Sequence, residues 1–421
     1  MTGMRLTALL GAAVLLFALS EPGAAMLRVG YIQSNENQQV LSELTRTFSA
    51  LPTGAPVELV PFSSSEGQRM LPQWLLTGEK ADVFYLPVDA VAWLKNQGLL
   101  AHLDGFRWQG IEQALAAFSP GMVAAYSDAR GPIGIPLTAS VDVLQYNETL
   151  LGRYGVPPLS QIGDQWTWHE FVDIGRRVSE PDRGQYFVHL DLTMVLVYFL
   201  VHGNVTSPDG RSSEVNTPFN AGILAIAQEA IHRDRISPPP SRQQNTTRLF
   251  REGRLALRNT SVTGLLPRAL NQNNWLLSTD FTWDVVPYPR SPFTHLRPAL
   301  GMGSGLVVAQ GAPLTPEIVS FITFAASAEG QRAVARSGHA LPAMWQLWPE
   351  LFEASAAPPQ NKAAFLQAIQ NWQHFAFPQV PAQELDRLAA PLVSVLEGAL
   401  AADVGLARAH QLFNELLQKI E

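Results

Sequence analysis

From Leu27 to Leu99 the chain alternates short apolar runs with segments of helical spacing, and this alternation restricts its fold more than any other feature. Leu27 to Gln33 reads as a buried strand, and Val40, Leu41, Leu44 and Phe48 then recur on one face of a helix. Pro56 to Phe62 and Ala81 to Leu86 read as further strands. A helix over Glu66 to Leu76 separates them, and another runs through Val91, Leu94 and Leu99. Strands alternating with helices pack as a parallel or mixed sheet covered on its faces, so the expected class is α/β.

Strand signals return at Gly134 to Asn147, near Leu255 to Arg258, at Trp283 to Pro287 and at Gly303 to Ala309. The stretches between are mostly helical, with Pro238 to Pro240 as a stiff loop. A helix is expected from about Thr315, where Pro316 suits the first turn. Pro358 to Glu421 reads as an amphipathic helical tail. A chain of 421 residues exceeds what one core usually organises, so two lobes are expected.

The first residues read as a secretory signal. Arg5 precedes an apolar run from Leu6 to Leu19, Glu21-Pro22-Gly23 breaks it, and Ala24 and Ala25 are small enough for cleavage near Ala25. The expected location is therefore the periplasm. There is no cysteine, which excludes disulfides, thiolate metal sites and the lipid attachment that needs a cysteine after the signal. A net charge of −7 without a basic stripe argues against nucleic acid. No nucleophile elbow, zinc-protease motif or phosphate loop occurs, so the expectation is a non-enzyme without cofactor or metal.

Several local patterns then appear in order. They are Gly78-Glu79-Lys80-Ala81-Asp82-Val83, Gly98-Leu99-Leu100 with Leu103, and Gly131 to Asn147. Further on come Pro157-Pro158 with Thr167-Trp168 and Phe171, Phe250 to Leu257, and Ser327 to Leu341. Together they resemble extracellular solute-binding protein family 1, which includes the maltose-binding and glycerol-3-phosphate-binding proteins. Ala81 stands where that family usually has proline, and Ser160 to Trp166 is an insertion.

The resemblance implies two α/β lobes of mixed sheet flanked by helices, with a hinge between them and a helical C-terminal tail. The lobes would be residues 26–138 with 301–345, and 139–300 with 346–421. It implies a monomeric substrate-binding protein of an ABC importer. Such a protein closes on a carbohydrate or polyol and delivers it to the permease transmembrane subunits. Glycerol-3-phosphate or a glycerophosphodiester is the alternative ligand.

A sugar needs hydrogen-bonding groups for its hydroxyls. In the family the loop after the first strand reaches the ligand, which points to Asn35 and Glu36; Ser34 or Asn35 also suits a helix cap. Ser65 suits a cap as well, leaving Ser64 for the cleft, and Asp89 stands where the family presents a sugar-binding acid. Ser140 aligns with a family ligand residue, and Asp142 is a carboxylate among apolar neighbours that must be paired. Tyr186 is the expected aromatic of the second lobe, in a segment where His189 suits a core role. Asn259 and Ser261 are candidate hydrogen-bonders, where the altered Thr263-Gly264 pair follows. Gly303 and Ser304 form a glycine-rich turn open to close approach. Arg387 matches a region from which the family reaches into the cleft. Leu86 replaces a stacking aromatic, so a ring must come from elsewhere, with Trp74, Trp93, Trp275 and Trp345 as candidates.

Overall fold

The alternating apolar runs become parallel strands. In the computed structural model β1 (Leu27–Ile32) lies between β2 (Val57–Phe62) and β3 (Val83–Pro87), parallel to both. The structure describes residues 26–420 except 105–109, 204, 208–210, 241–244, 266–275, 277–278, 354–357 and 375–381. The expected signal segment and Trp275 lie outside the described residues. Helix α1 (Asn35–Ser49) buries Val40, Leu41, Leu44 and Phe48 on the sheet, as its spacing requires. Its cap is Ser34, whose Oγ accepts the Asn37 N–H at 3.0 Å. Helix α2 (Ser64–Thr77) is capped by Ser63, whose Oγ accepts the Glu66 N–H at 3.1 Å. Ser65, the expected cap, only hydrogen-bonds the Ser63 hydroxyl. Helix α3 (Val88–Asn96) follows β3 directly.

A two-stranded ribbon, β4 (Ser127–Asp128) and β5 (Gly131–Pro132), leads into β6 (Gly134–Asn147). The remaining strands are β7 (Leu257–Ser261), β8 (Trp283–Val286), β9 (Gly301–Val308) and β10 (Leu341–Pro342). Six of them lie in the order β10-β6-β9-β3-β1-β2, and β9 runs antiparallel to β3 and β6.

Strand β6 joins the two halves of the molecule. Every one of its 14 residues is buried, and at about 3.3 Å per residue it spans roughly 46 Å. Its first part pairs with β9 and β10, and its last residues lie between β7 and β8. Two apolar clusters flank this crossing. One gathers Val29, Phe84, Ile135, Leu306, Phe321 and Trp348. The other gathers Tyr146, Trp166, Phe171, Tyr198, Leu406 and Phe413.

The tail divides between the clusters. Trp348, Phe365, Ile369 and Trp372 pack in the first, whereas Leu392 to Leu417 pack in the second. The tail is helical at 363–370, 382–396 and 402–420, and Gln373 between them forms a bridge to Leu300. Among the described residues no helix is long and apolar enough to cross a membrane.

Candidate functional site

Where β6 passes from one cluster to the other, a cleft of about 460 Å³ opens against the start of α1 and the turns after β7 and before β10. Six of the expected residues line it: Asn35, Glu36, Ser140, Ser261, Gly303 and Ser304. They arrive from four separate segments. The loop after β1 brings the α1 N-terminus to the carboxyl end of the parallel strands, where open α/β sheets present ligands. Alternation along β6 turns Thr138 and Ser140 to the same side.

The lining is held by hydroxyls. The Tyr85 and Thr138 hydroxyls are 3.0 Å apart, and the Ser304 N–H donates to Thr138 Oγ1 at 3.0 Å. Across the cleft, Thr263 Oγ1 lies 3.2 Å from Ser140 Oγ and 3.0 Å from Ser261 Oγ, and the Gly264 N–H donates to Ser261. Burial pushes the Tyr85 phenol above its usual range, so the ring is neutral and its hydroxyl stays available as a donor. Asn37, Tyr85, Thr138 and His339 also line the cleft although the sequence did not single them out. Thr138 carries the one usable signal, since it lies two residues before Ser140 on the same strand face.

The other candidates are placed differently. Ser64 opens α2 beside its cap, outside the cleft lining. Asp89 lies in the first turn of α3, where its carboxylate meets His374 Nε2 at 2.6 Å. The same imidazole has Nδ1 at 2.9 Å from the Gly301 carbonyl, which only accepts, so Nδ1 carries a proton there. Tyr186 is buried in the first apolar cluster. Arg387 is exposed and pairs with Glu384 and Glu415 between the two C-terminal helices. Trp74 packs edge-on to Phe62, and Trp93 and Trp345 pack against the first cluster.

Asp142 and Asn259 form a pair behind the lining, with Asn259 Nδ2 donating to Asp142 Oδ2 at 2.9 Å. Burial pushes the Asp142 carboxyl up to about 6, against the opposing effect of the Asn259 amide. Burial lowers the His189 pKa, and among the described residues neither of its enclosed ring nitrogens has a partner. Among the described residues no three His, Asp or Glu side chains converge as metal ligands.

The sequence model of the family described as "bacterial extracellular solute-binding protein" matches residues 33–332. Among solved structures, the cyclic alpha-maltosyl-1,6-maltose binding protein from Arthrobacter globiformis is similar, with a TM-score of 0.75 at 14% identity over 94% of this chain and 100% of that one. The sugar-binding protein MalE from Xanthomonas citri gives 0.74 at 16% identity, over 94% of this chain and 98% of that one. The substrate-binding protein Lmo0181 from Listeria monocytogenes, in complex with cycloalternan, gives 0.66 at 17% identity over 94% and 99% of the two chains. At these identities the likeness establishes the two-lobe fold. No curated protein sequence matches the chain significantly.

Proposed function

The chain belongs to the bacterial extracellular solute-binding protein family, and on that footing we propose that it binds a carbohydrate or polyol in the cleft. The observation that carries this reading is the character of the lining. Asn35, Glu36, Thr138, Ser140, Ser261, Thr263 and Ser304 converge there, and among the described residues no lysine or arginine lines the cleft. Hydroxyls, an amide and a carboxylate suit a ligand that both donates and accepts, as a sugar edge does. A phosphate ester needs arginine, lysine or a set of free N–H groups instead. The similar proteins named above are described with maltosyl sugars and cycloalternan, which supports the same class.

In this reading the protein acts in the periplasm as a monomer. It is cleaved near Ala25, passes its solute to the membrane subunits of an ABC importer and catalyses no reaction. The lobes are residues 26–138 with 301–345 and 139–300 with 346–421. Hinge motion along β6 closes them on the solute.

A thermal-shift screen over maltose, trehalose, D-tagatose, sorbitol and glycerol 3-phosphate tests the reading. A sugar at a hundred times its dissociation constant stabilises the folded state by about 2.7 kcal/mol, which raises the melting temperature by several degrees. The expected result is such a rise with at least one sugar or polyol. Stabilisation by glycerol 3-phosphate alone would make the phosphate ester the ligand.

A further inference from the structure

The polar wall continues past the cleft lining into the crossing strand, where it holds groups that the folded chain leaves unsatisfied. Alternation along β6 puts Thr138, Ser140 and Asp142 on one face, and the antiparallel register sets Asp142 directly across from Ser261. Ser140 and Ser261 line the cleft, so the Asp142 carboxyl is the next group along the same face. Among the described residues it takes one side-chain hydrogen bond, from Asn259, whose own Oδ1 is enclosed without a partner there. His189, also without a partner among the described residues, follows the segment that pairs with the chain entering β7 through Tyr186 and Leu255. Buried polar atoms are nearly always paired, and orphans on adjoining segments call for a partner from outside the chain.

We propose, building on the carbohydrate reading, that Asp142 held by Asn259 is the second lobe's anchor for a ligand hydroxyl, and that binding there releases a proton. An ionised carboxylate only accepts, so a sugar hydroxyl donates to its remaining oxygen in a charge-assisted bond. In the empty protein burial keeps Asp142 protonated up to about pH 6. Among the described residues the ionisable groups that act on it are Asp191, at the head of the helix Leu192–Leu196, and the phenol of Tyr288. Asp191 disfavours a second negative charge, and burial keeps Tyr288 neutral. A donated hydroxyl favours the charged carboxylate and pulls its pKa down, so ligand and proton compete.

Titration calorimetry with whichever of maltose, trehalose, D-tagatose or sorbitol stabilises the protein most tests this directly. Affinity is expected to rise about tenfold between pH 5 and pH 7.5. At pH 6, two buffers of different ionisation heat should report about half a proton released per ligand bound. Asp142→Asn keeps the shape and the Asn259 contact but removes the charge. It should bind more weakly at pH 7.5, with neither pH dependence nor proton release. Its empty form should melt above the wild type at pH 7.5, because a buried charge is gone. Flat wild-type affinity across that range, or proton release retained in Asp142→Asn, overturns the anchor and leaves the carbohydrate reading standing. Absence of heat with all four probes overturns both.

Discussion

Gly303→Ala is expected to lower the urea midpoint and weaken solute binding together. A Cβ at this position would lie well inside contact distance of the Thr138 carbonyl oxygen, a backbone atom of β6. Neither strand can step aside cheaply. Residue 303 pairs with Ala139 and residue 304 with Thr138, so relief means parting β9 from β6. Overpacking of this kind costs about 2–3 kcal/mol. The same displacement carries Ser304 away from Thr138, whose hydroxyl accepts its N–H in the cleft wall. Circular dichroism in urea and a sugar titration read the two effects. A variant with the wild-type midpoint would mean that β6 and β9 do not approach as closely here as described.

Trp348→Ala should cost still more. The indole is fully enclosed, its Nε1 donates to the Pro342 carbonyl at 2.8 Å, and its ring meets Phe352 edge-on at 6.0 Å. Truncating a buried tryptophan typically removes about 3–5 kcal/mol. The cavity would lie beneath β10, which pairs with β6 at Thr138 and Ala139, so the first lobe should loosen at the cleft. Trp348→Phe keeps most of the apolar volume and should lose less. Urea unfolding of both variants checks the order. An alanine variant that loses less than about 1 kcal/mol would contradict the enclosed packing of Trp348.

What was legible in the sequence was local. The strands at Leu27, Pro56 and Ala81 and the helices between them follow from periodicity, because each buries one face within a few residues of chain. The long run Gly134 to Asn147 was legible as a strand. Its change of partners midway was not, since β7, β8, β9 and β10 all come more than a hundred residues later. The site follows the same division. Asn35 and Glu36 open α1, Ser140 lies midway along β6, Ser261 ends β7, and Gly303 and Ser304 lie within β9, not in the turn the glycines suggested, because β9 pairs with β6 there; only the fold brings them together. Tyr85 escaped notice because only its contact with Thr138, 53 residues away, gives its hydroxyl a place in the wall. Asp89 had the position of a ligand acid, but its partner is His374, 285 residues further on. Arg387 is explained by Glu384 and Glu415 on the C-terminal helices, a pairing that needs both helices in place.

In the proposed binding mode a hydroxylated solute sits between the lobes against these side chains. A crystal structure of the protein grown with the sugar that stabilises it most tests that claim directly. One sugar is expected in the cleft, in hydrogen-bond contact with Asn35, Glu36 or Ser304 from the first lobe and with Ser140, Ser261 or Asp142 on the opposing wall. A sugar bound on another surface, with the cleft between α1 and the β6–β7 wall left to water, would contradict it.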